Sequence, residues 1–461
     1  MGYNKCMITQ QEYNQKKKRL LQELNSAVKT GQPIALRKKT TNLFRPRDQG
    51  DVSRIDVTDF THVIFVDAKN QTAEVEGMAT YEIIVQETLK HGLMPAVVPQ
   101  LKTITLGGAV TGVGIESSSF RYGFPHETLL SMEILTGDGR IIEAKPTGAN
   151  KDLFYGFPNS YGSLGYAIKL KIQLMPVKRY VKLTHIKYTD SKAYLKDLQK
   201  ICDDKKWQNQ QVDFVDGMMY QRGEYYIVLG QMVDEAPYVS DYTYKNIYYK
   251  SILERTEDYL TIEDYIWRWD TDWFWCSVNM GAQNPILRRL YGKDRLRSDR
   301  FMKIFNFEMR HGYKQKIDKL FGKKPIEFVI QDVEIPVQNC EEFIKYYFKT
   351  INIRPVWVCP VRQLDKGKTW SLYGLDPSKL YINFGFWSSV EAKTKDLAWH
   401  NKSLEAKVTE LRGKKSLYSS AYYDKNVFWK LYNSKEYNKL KKKYDPKSSF
   451  KDLYTKTVKR G

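Results

Sequence analysis

The spacing of apolar residues changes period several times along this chain, and each change predicts an element. Thr9-x-x-Glu12 reads as a capping box, and Leu20, Leu21, Leu24 and Val28 then form one stripe at helical spacing. Gly31 and Pro33 end that helix. From there the pattern shortens to strands over 34–37, 63–66 and 72–76. A helix marked by Tyr81, Ile84, Val85, Thr88 and Leu89 follows and stops at Gly92. Apolar runs at 130–135 and 140–144 flank Gly137-Asp138-Gly139, a hairpin signal. The clearest strand is 168–174, where Ile168, Leu170, Ile172 and Leu174 alternate with Lys169, Lys171 and Gln173, so one face is buried and the other wet. Pro176 closes it.

Strands are expected again over 180–188, 212–216 and 225–230, with a helix near 193–202. Residues 240–320 are aromatic and charged and follow no single period. A strand, helix and strand then read over 328–335, 341–349 and 355–359, with a further strand at 380–386. Antiparallel strands interspersed with helices in this order predict an α+β cap. The last sixty residues are rich in helix formers, with aromatics at Phe428, Trp429 and Tyr437.

One stretch carries candidate chemistry. Gly107, Gly108, Gly112 and Gly114 fall within eight positions and are followed by Glu116 and three serines. Glycine lets backbone N–H groups approach an anion closely, so such a loop can cradle a diphosphate; a plain turn is the competing reading. The stretch is not a Rossmann fingerprint. Gly112-x-Gly114 would need glycine where Ser117 stands, and no helical apolar pattern opens after it.

The flanks add a resemblance. Pro99-Gln100-Leu101 leads in, and Asp152-Leu153-Phe154 and the segment 160–165 (SYGSLG) follow. This order resembles the PCMH-type FAD domain of the vanillyl-alcohol-oxidase superfamily, and within it the delta(24)-sterol reductase branch. Gln331-Asp332, the segment 354–360 (RPVWVCP), the segment 380–383 (LYIN) and Leu417-Tyr418 resemble the same proteins, so the likeness runs from residue 34 to 456. Segments 42–47 and 267–270 look more like bacterial FAD-linked relatives.

The resemblance implies an α+β fold: an N-terminal helix (1–32), a PCMH-type FAD-binding domain (33–179), an α/β cap for substrate (180–400) and a C-terminal segment (401–461) returning to the FAD domain. It implies FAD, bound non-covalently, with His126 no tether. A first loop, Lys38, Lys39, Thr40 and Thr41, offers cations and hydroxyls where other members of the superfamily have glycines. The second is the run Thr105, Leu106, Gly107, Gly108, Ala109, Val110, Thr111, Gly112, Val113, Gly114, Ile115, Glu116 and Ser117. Gly162, Gly165 and Ile168 belong to a segment that passes the flavin and adenine ends.

Trp357, Cys359, Arg362, Tyr381 and Asn383 lie in segments resembling cap strands that face the flavin. Tyr418, Tyr422 and Tyr423 are proton-donor candidates, because adding hydride to a C=C bond requires a proton on the other carbon. Tyr418, Tyr422 and Asn383 are thus the expected catalytic residues. The implied activity is FAD-dependent reduction of a carbon–carbon double bond in a lipid-like substrate, a sterol side chain or an unsaturated or methylene fatty acyl chain. NAD(P)H would reload the flavin, although no separate nucleotide motif is evident. The alternatives are an FAD-dependent oxidase or dehydrogenase of an alcohol or sugar, and a flavin-fold protein used as a basic binding or structural module. Intact glycine loops speak against the last.

Composition narrows the partners. With 461 residues, 42% hydrophobic and 14% aromatic, the chain can build ample cores. Its net charge of +21 is densest from Lys435 onward. A solvated face and attraction to an anionic membrane surface both fit; nucleic acid does not, because no aromatic–basic recognition motif accompanies the charge. Five separated cysteines without C-x-x-C (Cys6, Cys202, Cys276, Cys340, Cys359) fit reduced thiols in a cytoplasmic protein, peripheral to a membrane at most. No run of 18 apolar residues occurs, the first residues lack a signal-peptide h-region, and Met1-Gly2 with Cys6 only faintly echoes an acylation signal. Six scattered histidines give no metal-ligand spacing, so no metal is expected, and Gly162-Ser163-Leu164-Gly165 is not a hydrolase elbow. The aromatic run 267–276 (WRWDTDWFWC) reads as packing, or as the lining of a tunnel or a dimer surface.

Overall fold

Thr9 caps the helix Gln10–Lys29: its hydroxyl accepts from Glu12 N–H at 3.2 Å while Glu12 accepts the Thr9 N–H at 2.6 Å. Tyr13, Leu20, Leu24 and Ala27 form the buried stripe: Leu20 and Leu24 are as expected, Ala27 takes the place of Val28, and Leu21 is only half-buried. The computed structural model describes residues 7–45, 50–313, 316, 320–322 and 324–458. Met1, Gly2, Cys6, Pro46, Arg47 and the last three residues lie outside the described residues.

Two sheets organise the rest. Ile34–Arg37 pairs in parallel with Ser53–Asp56, a strand that the apolar pattern does not signal. The first large sheet has the order Val63–Asp67, Thr72–Glu76, Tyr166–Pro176, Leu129–Leu135, Ile141–Ala144, with Leu93–Pro95 also on Tyr166–Pro176. Its central strand is the alternating run: Leu170 and Ile172 are buried while Lys169 and Lys171 are half-exposed. The helix Tyr81–Leu89 leads into Leu93–Pro95 and the glycine stretch.

The second sheet has eight strands in the order Glu257–Thr261, Tyr180–Tyr188, Glu224–Val233, Phe214–Gln221, Val356–Val361, Tyr381–Glu391, Ile326–Pro336, Lys414–Lys415. Every pair in it is antiparallel, as expected of an α+β cap that combines an antiparallel sheet with helices. Helices Ser191–Asp204, Cys340–Thr350 and Trp399–Glu410 pack on one face. The period of two sorts the strands. Val356 and Val358 join those helices, whereas Trp357, Cys359 and Val361 join the core shared with the first sheet. By the same alternation Val329, Val333 and Ile335 face the helices and Asp332 and Glu334 face the other way. The last segment packs against the first sheet's surroundings. Lys441 Nζ donates to Ser163 O at 2.9 Å, Gly137 N–H to Tyr444 O at 2.9 Å, and Ile34 N–H to Ser449 O at 2.7 Å.

Candidate active site

Where the inner face of the second sheet meets the loops of the first, a cleft opens to solvent. The glycine stretch forms one wall. Contrary to the sequence reading, it is not wholly a loop: Leu106–Thr111 is a short helix, capped by Thr105, whose hydroxyl accepts from Gly108 N–H at 3.2 Å. Two glycines mask its period, and burial of Leu106 and Val110 together with the cap outweighs their poor helix propensity. Close approach explains Gly107. A Cβ there would stand 2.6 Å from Gly77 O, so only glycine lets this wall sit against the strand end. Gly162, at φ +73°, turns the chain into the facing wall.

Three kinds of surface meet in the cleft. Lys38, Thr40, Thr41 and Arg45 come from the segment after Ile34–Arg37, beside Tyr161, Gly162 and Tyr166. Trp273, Phe274, Trp357 and Trp387 supply an aromatic wall, with Phe274 stacked on Trp387 at 4.2 Å. Asp332, Ser416 and Tyr418 supply a polar group on that wall.

That polar group is connected. Trp387 Nε1 donates to the Tyr418 hydroxyl oxygen at 2.8 Å, Asn383 Nδ2 donates to Asp332 Oδ1 at 2.8 Å, and the Asp332 carboxyl lies beside the Tyr418 phenol. Burial pushes Asp332 up to about 6, against the two hydrogen bonds that favour its ionised form. Burial and the adjacent Asp332 charge push the Tyr418 phenol well above its ordinary value, so it holds its proton at neutral pH. Gly385, across the strand pair from Asp332, leaves room: a Cβ would lie 2.5 Å from Asp332 Oδ1. Behind it, Glu334 accepts from Ser416 at 3.1 Å and from Tyr373, and burial lifts it to about 8.

The cationic side has its own signature. Lys456 of the helix Leu453–Thr457 donates to Gly162 O at 2.7 Å, its Nζ 5.4 Å from the Tyr166 ring centroid. Burial foremost, then repulsion from Lys441, Arg45 and Lys38, brings its ammonium down to about 7, with Asp445 pulling the other way. Arg45 holds the Lys456 carbonyl and lies 5.5 Å from the Tyr161 ring. An anionic group between these cations would relieve their repulsion. The glycine wall, the cations and the aromatic wall therefore fit FAD, with its diphosphate at one side and its rings at the other.

The sequence-derived residues divide. Lys38, Thr40, Thr41, Thr105, Gly107, Gly108, Ala109, Thr111, Gly112, Val113, Gly114, Ile115, Gly162 and Tyr418 line the cleft. Lys39, Leu106, Val110, Gly165, Ile168, Tyr422 and Asn383 do not. Leu106 and Val110 face the core, Ile168 packs under the first helix, and Gly165 backs onto Leu135 O, each on the far side of its own backbone. Asn383 stands one residue back from the cleft, bonded to Asp332. Tyr422 is held by its N–H on Glu405, and Tyr423 is buried beside Tyr432. Cys359 and Tyr381 pack in the shared core, and Arg362 pairs with Asp203. His126, pushed down to about 3 by burial, stacks on Phe124 and stays outside the cleft.

Glu116 and Ser117 turn away from the cleft into a buried ion cluster. Arg268 donates to Glu116 at 3.0 Å and to Asp216 at 2.8 Å, and the Ser117 hydroxyl bonds Glu116 at 2.5 Å. Trp357 Nε1 also donates to Asp216, at 3.1 Å. The aromatic run thus has two jobs: Arg268 locks the two sheets together, and Trp273 and Phe274 line the cleft. Asp332, Trp387, Arg45 and Lys456 were not singled out for chemistry by sequence; only the alternation along 328–335 could have put Asp332 on the cleft face. Among the described residues no group of three His, Cys, Asp or Glu side chains is placed to hold a metal ion, and no helix is long and apolar enough to cross a membrane.

A family model described as an FAD binding domain matches residues 15–145. The chain is 28% identical to the delta(24)-sterol reductase of Homo sapiens over 415 residues, 86% of this chain and 76% of that protein. It is 23% identical over 448 residues to the delta(24)-sterol reductase homologue of Caenorhabditis elegans (91% and 82%), and 24% identical over 452 residues to the delta(24)-sterol reductase of Arabidopsis thaliana (88% and 76%).

Proposed function

Given a chain that belongs among the FAD-linked oxidoreductases and is homologous to the delta(24)-sterol reductases, we propose that it reduces a carbon–carbon double bond in a lipid-like substrate. The observation that carries the reading is the connected polar group Tyr418, Asp332 and Asn383, set against an aromatic wall. An apolar substrate needs apolar walls, and an isolated alkene needs one proton source and no competing polar groups.

When bound, FAD supplies the hydride equivalent. The chain's own residues do the rest. Backbone at Gly107, Gly108 and Gly112, with Lys38 and Arg45, would hold the cofactor's anionic part, and Lys456 would add its charge from behind Gly162. Trp273, Phe274 and Trp357 exclude water and position the hydrocarbon. Tyr418 gives its proton to the substrate carbon, and Asp332, protonated up to about pH 6, restores it. Asn383 orients Asp332, and the Trp387 N–H steadies the phenolic oxygen as its charge grows. The electrons that reload the cofactor would come from NAD(P)H.

The test is product analysis in D2O. Reduction as described adds at least one solvent deuterium per double bond, on the carbon that takes the proton, and Tyr418→Phe slows its incorporation. Asp332 also supports a second reading, since a carboxylate ionised above about 6 can take the proton of an alcohol. Oxidation of an alcohol or sugar, with no alkene reduced, would favour that reading and overturn the first.

A further inference from the structure

Helices facing water put charge outward and leucine inward. The helix Pro285–Tyr291 does the reverse. Arg288, only 4% exposed, is clamped inward on Asp272 at 2.7 and 2.9 Å, while Ile286 and Leu290 are 70% and 72% exposed. The next long helix, Ser298–His311, has two apolar faces. Phe301 and Met302 are buried on one, and Ile304 and Phe307 stand in the open on the other, flanked by exposed Arg300 and Lys303. The Phe307, His311 and Tyr313 rings cluster within 4.6 to 5.8 Å of one another on this face, and Leu320 and Phe321 beyond it are 85% and 77% exposed.

Scattered exposed leucines mean little, but these are not scattered. Of seventeen large apolar side chains exposed among the described residues, nine fall between Val278 and Phe321. The same stretch is basic: residues 285–324 hold thirteen Lys and Arg against four Asp and Glu. By contrast, the lysine-rich C-terminal run is partly spent on structure. Lys441 bonds Ser163 O and Phe450 O and pairs with Asp445, and Lys443 pairs with Asp152 at 2.8 Å.

We propose that the outer faces of Pro285–Tyr291 and Ser298–His311 form a docking surface for an anionic lipid bilayer. Exposed apolar side chains ringed by cations match a bilayer's two layers, headgroup charge and acyl chain. A second copy of the chain would oppose its excess of positive charge with the same excess, which disfavours self-association through this face. The location suits delivery of a lipid. Phe301 lies parallel to Trp273 at 6.5 Å, and Phe305 packs on Phe44 at 5.5 Å and on Trp273 at 6.0 Å; Phe44 and Trp273 both line the cleft. The docking itself does not depend on which reaction the cleft carries out.

Co-sedimentation of the full chain with phosphatidylglycerol–phosphatidylcholine vesicles tests it, against pure phosphatidylcholine. Binding to the anionic vesicles is expected to weaken steeply with salt. Leu290→Glu with Phe307→Glu, or Arg300→Gln with Lys303→Gln, should weaken it by about tenfold or more. Lys442→Gln with Lys447→Gln, which removes the same charge from the tail, should leave it unchanged. A Leu290→Cys protein carrying an environment-sensitive dye keeps the test open should the glutamate variant misfold, and its emission should shift to the blue on anionic vesicles alone. The proposal is overturned by equal binding of the patch and tail variants, by an unshifted dye, or by light scattering that shows a dimer which the patch variants dissociate.

Discussion

Trp387 donates its indole N–H to the Tyr418 hydroxyl oxygen at 2.8 Å, joining a strand of the second sheet to the C-terminal segment. The indole has one donor and no acceptor, so it occupies one lone pair of the phenol and leaves the O–H for Asp332. A phenol held this way is aimed. Tyr418→Phe is expected to slow the proton-dependent step by roughly 10²- to 10⁴-fold, with flavin content retained. Trp387→Phe, which keeps the proton and loses the aim, should cost about tenfold. Single-turnover rates alongside flavin absorbance distinguish these from loss of cofactor; equal rates in Tyr418→Phe and the wild type would remove Tyr418 from the chemistry.

The Asp332 carboxyl sets a pH dependence. Its folded value, about 6, lies above the ordinary carboxylate range because of burial, so the protonated form is present below about 6 and lost above it. Turnover limited by reprotonation of Tyr418 should therefore be full on the acid side and decline as pH rises through about 6. The stability that this group contributes has the same sign, full at low pH and lost as pH rises through the folded value. Asp332→Asn should remove the inflection from the rate profile. A wild-type profile flat between pH 5 and 7.5 would contradict the assignment.

Lys456 has the opposite sign. Its folded value, about 7, lies below the ordinary lysine value, so charging it costs stability below about 7, and that cost is relieved as pH rises toward the unfolded value. An anionic cofactor beside it should reverse this by favouring the ammonium. FAD affinity is then expected to fall between pH 7 and pH 9 in the wild type, and to be about tenfold weaker and less pH-dependent in Lys456→Gln. Fluorescence titration of apoprotein with FAD reads both. Unaltered affinity would confine Lys456 to its bond with Gly162.

Arg268 holds two carboxylates, Glu116 and Asp216, in the boundary between the sheets. Arg268→Met leaves both without their cation and should cost about 3–5 kcal/mol. Adding Glu116→Gln and Asp216→Asn to that variant should recover much of the loss, because no buried charge then remains. Urea midpoints of the single and triple variants check it. A triple variant no more stable than the single one would show that the cluster is not held by charge compensation.

Elements with local patterns were legible, and those held by distant partners were not. The strands 72–76 and 180–188 and the helix 81–89 coincide with Thr72–Glu76, Tyr180–Tyr188 and Tyr81–Leu89, because burial on one face wrote a period into each. Ser53–Asp56 has one apolar residue, Ile55, and exists through its parallel pairing with Ile34–Arg37. Helices between 240 and 320 resisted reading because Ile286, Leu290, Ile304 and Phe307 face outward, against the rule that makes a period readable. In the site, the glycine stretch announced itself by composition. Asp332 with Asn383, and Lys456 with Gly162, are pairings 51 and 294 residues apart, which no local spacing encodes.

Anaerobic reoxidation of the reduced holoprotein reports directly on alkene reduction. The protein is loaded with FAD, reduced under argon, and mixed with a sterol bearing a side-chain double bond, an unsaturated fatty acyl ester, or the saturated counterpart of each. Oxidised-flavin absorbance is expected to return with at least one alkene, matched by one reduced double bond per flavin, and with neither saturated lipid. Flavin that stays reduced with both alkenes, yet is reduced from the oxidised state by an alcohol or a sugar, would contradict it.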